Sequence, residues 1–353
     1  MNAINRIQSV SRTIYGLKKY QDLSPSSIEE EDSFYPGLNN ENIPLKIFNP
    51  SKPYSSILIL YPGATVKGEA HPRMITLARS LAVNGVKVFL PRIPPLINLK
   101  LTEEIFPWTV HFYKWVFNNF ANNNPINLAG VSFGGVIVLK ACLDPFLIKN
   151  KPKSILVFGT SYDVSTSMKF MYSGKINHNG ETIEIKPDPW SIIVLFHNYL
   201  HQIDVGYETK EIQDGLSYLI HQDDDKLKDL MNNLYGPQKS LIKDIVNLNI
   251  SDEVKRIMSI ILKDCSDQLE FFSPKFWCDN ISNNVFILHG TNDSLSPYTE
   301  SVKLNSKLQN SDLLITRLFE HREISNKIPF IRKFHETFNI YKFLSKYFNK
   351  VFS

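Results

Sequence analysis

"NLAGVSFGGVIVLK", residues 127–140, compresses a buried strand, a tight turn and the start of a helix into fourteen residues. Ser132 stands at the turn, with Gly130 two positions before it and Gly134 two after. A serine hydroxyl is a poor nucleophile unless it is raised out of the sheet and activated. The G-x-S-x-G spacing does the raising, because a side chain at either glycine would collide with strand or helix. The pattern alone is weak, since roughly 0.1 chance matches are expected at average residue usage. Its setting between an apolar strand and the helical run "GGVIVLKACL" is what makes it specific.

Working outward, strand and helix patterns alternate. "IPLKIF" (43–48), "SSILILYPG" (55–63), "VKVFLP" (86–91), "INLAGVS" (126–132), "SILVFGTS" (154–161), "NVFILHG" (284–290) and "LLITRLF" (313–319) read as strands. Residues 73–83, 107–120 and about 328–349 read as helices between and after them. The alternation implies an α/β fold: a mainly parallel central sheet with helices on both faces. Ligands of such sheets bind beyond the carboxyl ends of the strands.

Residues 1–42 read as an N-terminal extension. A helix precedes a polar loop over 22–42 that contains "SPSSIEEEDS". Residues 43–163 and 284–353 carry the alternation. The 120 residues between, 164–283, are too many for a structureless loop. They contain helical patterns such as "WSIIVLFHNYLHQI" and "DEVKRIMSIILKDC", and are expected to form an inserted helical cap. The cap nets −6 and the remainder of the chain +10.

A base and an acid should follow the serine, in the order Ser, acid, His. Asp293 lies a few residues past one strand and His321 just past the next. His321 would take the hydroxyl proton, and Asp293 would orient its ring. Asp163 is the alternative acid. His71, His111, His197, His201, His289 and His335 are expected to be structural. The oxyanion would be met by the backbone N–H of Phe133 and by a second amide from the loop after Pro62-Gly63. Ala64 is the choice for that donor and Thr65 the alternative.

With these motifs in place, the sequence resembles the α/β-hydrolase superfamily. "GVSFGG" matches its nucleophile elbow, "YPGA" its oxyanion loop, "HGTNDSLSP" its acid turn and "FEH" its base. The resemblance covers about 43–163 and 284–353. It implies Ser132, Asp293 and His321 as a triad, a pocket between sheet and cap, and no cofactor. One departure is Pro62, which stands where that family often has histidine; a run of several glycines is also missing there.

The expected reaction is hydrolysis of a moderately hydrophobic carboxylic ester. The cap supplies Phe170, Met171, Tyr172, Trp190, Phe196, Tyr199, Phe271, Phe272, Phe276 and Trp277 as candidate core or pocket residues. Amide or other acyl hydrolysis, with Glu208 or Glu211 as a conceivable amine anchor, and a non-catalytic binding role on the same fold are the alternatives. The formal charge of +4 is too small to argue for nucleic acid. Cys142, Cys265 and Cys278 sit at no metal spacing, which points to a reduced chain without a metal site. The first 22 residues are basic and lack an uninterrupted apolar core. A cytoplasmic protein is expected, with membrane-surface contact or organelle targeting through residues 1–22 as alternatives.

Overall fold

Eight strands form one sheet in the order β1-β2-β4-β3-β5-β6-β9-β10. The computed structural model describes residues 3–21, 24–318 and 330–352. The strands are β1 (Ile28–Pro36), β2 (Asn42–Pro50), β3 (Ser56–Tyr61), β4 (Val86–Pro91), β5 (Ile126–Val131), β6 (Ile155–Phe158), β9 (Val285–Gly290) and β10 (Ser311–Thr316). From β4 to β10 every pairing is parallel, whereas β2 runs antiparallel to both β1 and β4. All six residues of β3 are buried, as the apolar run at 55–61 demands of a strand covered on both faces.

Helices α1 (Ala3–Lys19), α2 (Pro72–Ala82), α3 (Pro94–Ile97), α4 (Ile105–Phe120), α5 (Phe133–Ala141) and α6 (Pro145–Lys149) precede the cap. The cap carries α7 (Val164–Ser173), α8 (Pro189–Tyr199), α9 (Lys210–His221), α10 (Asp224–Asn233), α11 (Gly236–Asn247), α12 (Asp252–Asp264) and α13 (Ser266–Phe271). After it come α14 (Tyr298–Lys307) and α15 (Phe330–Val351). One sheet face packs on α4, α5 and α14 through Phe112, Ile137 and Leu304, and the other on α1, α2 and α15 through Val10, Leu81 and Phe348. The helices of 164–283 pack around Phe196, Leu216 and Ile257, in a cluster that also takes in Leu99.

Two expectations are corrected. Residues 28–36 are not loop: they form β1, so the sheet begins inside the presumed extension. An edge strand needs little apolar content, and here Ile28 and Tyr35 point inward while the acidic run faces water. The cap is also not purely helical. Its strands β7 (Lys175–His178) and β8 (Glu181–Glu184) form a hairpin closed by Asn179 (φ 51°) and Gly180 (φ 82°). Positive φ at both turn residues is what a two-residue hairpin of this twist requires.

The three cysteines are free and buried. Burial pushes the thiol of Cys142 far up and, with Asp279 nearby, that of Cys278 to about 11, so neither is a nucleophile at neutral pH.

Candidate active site

Ser132 has φ 56° and ψ −126°, a conformation that L side chains rarely adopt and that costs about 1–3 kcal/mol. The surroundings impose it. A β-carbon on Gly130 would overlap the Gly134 carbonyl, and one on Gly134 would stand 2.5 Å from the Pro62 carbonyl oxygen and 2.6 Å from that of Tyr61. The Ser132 N–H donates to the Phe158 carbonyl at 2.7 Å, and its own carbonyl accepts from Gly135 N–H and the Thr160 hydroxyl. The turn is thus pinned to β6 on one side and to α5 on the other.

After Phe133, helix α5 continues with two glycines and three β-branched residues, all poor helix formers. Packing overrides propensity here. Val136, Ile137, Val138 and Leu139 are at most 1% exposed, each contributing roughly 1.5–3 kcal/mol by burial. Phe133 is the first residue of α5, so its N–H has no carbonyl one turn back within the helix and points out beside Ser132. The loop from Pro62 to Lys67 borders the same cavity. Its far end is anchored by buried Glu69, whose carboxylate oxygens each lie 3.0 Å from Arg92 Nε at the end of β4. This anchor carries no local sequence signal, because its partners are 23 residues apart.

Asp293, past β9, is fully buried. Its Oδ1 accepts from the N–H groups of Leu295 at 2.8 Å and Ser296 at 2.9 Å, which fixes the carboxylate plane. Its Oδ2 lies 3.3 Å from His289 Nε2. That nitrogen also faces the Ser296 carbonyl at 3.0 Å and therefore carries the proton, leaving Nδ1 to accept from the Ser301 hydroxyl. His289 thus helps to position the Asp293 carboxylate within the turn at 289–297, and Ser301 on α14 fixes its ring from outside that stretch.

Asp163 is engaged elsewhere. It caps α7 through Ser165 N–H and meets Lys275 at 3.0 Å. Burial alone would raise its carboxyl; the hydrogen bonds from Ser165 and Lys275 outweigh that and hold it below the ordinary value. Glu300, fully buried on α14, accepts from the N–H groups of Tyr162 and Asp163, so the start of the cap is tied to the core. His71 caps α2 through Nδ1, and His111 bonds the Pro36 carbonyl.

His321 lies outside the described residues. The described ends of its segment are joined: Glu336 on α15 accepts from the Thr316 hydroxyl at 2.7 Å and from Arg317 N–H at 3.3 Å, both at the end of β10.

Ser132, Phe133 and Ala64 line one cavity of about 1610 Å³. Of the cap residues expected near the site, Met171, Trp190, Tyr199 and Phe272 line it, whereas Phe170, Phe196 and Trp277 are buried outside the lining. Ser161 and Ser296 lie on its wall with their hydroxyls 3.2 Å apart, and the Ser167 hydroxyl donates to Ser161 at 3.0 Å. Among the described residues no acidic side chain lines the cavity.

No family model matches the chain, and no curated protein is detectably similar to it in sequence. Solved structures do match. The acylaminoacyl peptidase of Pyrococcus horikoshii is 12% identical with a TM-score of 0.52, over 96% of this chain and 44% of that one. A puromycin-hydrolyzing peptidase of Mycobacterium tuberculosis is 10% identical with a TM-score of 0.52, over 94% of this chain and 41% of that one. The chain thus spans less than half the length of these proteins. The protein has the α/β-hydrolase fold.

Proposed function

We propose that the protein is a serine hydrolase that cleaves a moderately hydrophobic carboxylic ester through an acyl-enzyme. The observation that carries this is the left-handed φ of Ser132, on a turn packed tightly enough to hold it and open to a large cavity. A strained, over-determined serine at that place has a use in nucleophilic attack and none in packing.

In this reading His321 removes the Ser132 proton as Oγ attacks the ester carbonyl. The developing oxyanion is met by the N–H groups of Phe133 and Ala64. Collapse of the tetrahedral intermediate expels the alcohol, which takes the proton from His321. Water, deprotonated by the same imidazole, then releases the acid. Asp293 holds the ring in the required tautomer. The wall combines apolar and hydroxyl-bearing residues with the basic Lys18, Lys67 and Arg73 and has no described carboxylate, which favours an ester over a substrate anchored by a free amine. Glu208, one conceivable anchor, instead accepts from the N–H groups of Thr209 and Lys210.

A fluorophosphonate probe tests the reading. Labelling of the native chain that vanishes in Ser132→Ala, together with turnover of an ester panel, is expected. No labelling of folded protein would reassign the fold to a binding role.

A further inference from the structure

We propose that the outer face of α1 and α15 docks on an anionic lipid surface, and that the ester reaching Ser132 is a long-chain acyl ester drawn from that surface. The second half rests on the ester-hydrolase reading; the first does not.

Three observations meet on this face. The first is charge. Helix α1 carries Arg6, Arg12, Lys18 and Lys19 and no acid, and α15 carries Arg332, Lys333, Lys342, Lys346 and Lys350 against Glu336 alone. Together the two helices net +8, so the rest of the chain nets −4. Lys346 is paired with Asp312.

The second is exposed apolar surface interleaved with that charge. Tyr15 is 58% exposed on the side of α1 opposite buried Val10 and Thr13, and Ile7 is 51% exposed nearer its N-terminus. Phe334 is 75% exposed and Phe338 59%, one turn apart on the side of α15 opposite buried Phe343 and Tyr347. The two helices pack side by side. Large apolar side chains among basic ones suit the boundary between headgroups and acyl chains, where water, phosphate and hydrocarbon meet. A nucleic acid would reward the charge but not the exposed isoleucine and phenylalanines. Among the described residues no helix is long and apolar enough to cross a membrane, so contact would be in the surface plane.

The third is continuity with the site. The cavity containing Ser132 is also lined by Ile14, Leu17 and Lys18 of α1 and by Ile340, Phe343 and Leu344 of α15. At about 1610 Å³ it exceeds the roughly 300–1,000 Å³ of ordinary small-ligand pockets. The two helices that carry the exposed residues outward thus also wall the cavity, and a cavity of this size fits an acyl chain better than a compact soluble ester.

Vesicle flotation with the full chain tests this, using phosphatidylcholine vesicles with and without about a third phosphatidylserine. Binding is expected only with phosphatidylserine, and release in about 0.5 M NaCl. Tyr15→Asp combined with Phe338→Asp should weaken binding roughly tenfold or more while turnover of a short soluble ester stays unchanged. Equal flotation of both forms, or none with anionic vesicles, overturns the docking proposal. A native dimer that the double variant splits, without vesicle binding, assigns the face to a second copy and overturns it too. Vesicle binding without any ester turnover refutes the hydrolase reading alone. Turnover that favours short soluble esters over long-chain esters in the vesicles refutes the substrate class.

Discussion

Gly63 and Ser132 touch: a β-carbon on Gly63 would lie 2.9 Å from that of Ser132 and 3.0 Å from the Val131 carbonyl oxygen. The backbone of the proposed oxyanion loop is therefore set directly against the Ser132 side chain and the Val131 carbonyl. Gly63→Ala is expected to push the Ala64 amide out of line and cut kcat by roughly 10²–10³, the usual loss of one oxyanion donor. Steady-state kinetics on a soluble ester measures it. A rate within twofold of native would place the second donor elsewhere.

The two candidate acids are separable. Asp293→Asn should lower kcat by roughly 10³–10⁴, because the amide favours the wrong imidazole tautomer. Asp163→Asn should leave kcat within a fewfold and cost about 1 kcal/mol of stability, since its partner Lys275 is half exposed. Its depressed carboxyl contributes that stability above the unfolded value near pH 3.9, and loses it as pH falls through the lower folded value. Activity assays paired with urea titrations tell the two apart; the reverse kinetic pattern would move the acid to β6.

Gly135 abuts Thr160, and a methyl there would overlap the threonine hydroxyl. Gly135→Ala should destabilise by about 1–3 kcal/mol through overpacking. Adding Thr160→Ala should recover at least half of it. Urea midpoints of the two single variants and the double variant give the coupling, and strict additivity would show that the clash is relieved elsewhere.

In the cap, burial pushes the His197 imidazole below its ordinary value; His201 and His221 add to the effect, against a hydrogen bond with the Asn98 backbone. Its buried Nδ1 has no hydrogen-bond partner among the described residues. The unfolded chain therefore takes up more protons, and stability is complete above the unfolded value near 6.5 and falls as pH drops below it. Thermal melts between about pH 7.5 and pH 5.5 should show a smaller loss in His197→Gln than in the native chain. Parallel losses would remove His197 from the acid response.

What the sequence disclosed depended on how local each signal was. The turn at Ser132 is legible because glycine spacing, strand and helix adjoin within fourteen residues. Strand β1 is not, because an edge strand with only Ile28 and Tyr35 turned inward looks like solvated loop. The cap hairpin does carry a local mark, Asn179-Gly180, but short exposed strands among long helical periods give little else to read. Glu300 and His289 are another matter. Glu300 meets Asp163 across 137 residues, and His289 acquires its role only when Ser301 and Asp293 close around it.

Strand β1 also sets how far this sheet can grow. The outer rim of any sheet offers unpaired N–H and C=O groups to whatever strand arrives next. Here that rim bears Glu29, Glu30, Glu31 and Asp32 in succession, with Glu30 paired to Arg79 and Asp32 to Lys46. Two molecules approaching rim to rim would set acidic runs face to face before a backbone hydrogen bond could form. Charge on such a rim works against fibre-like stacking, so replacing Glu29 and Glu31 with neutral residues should endanger solubility before it touches catalysis.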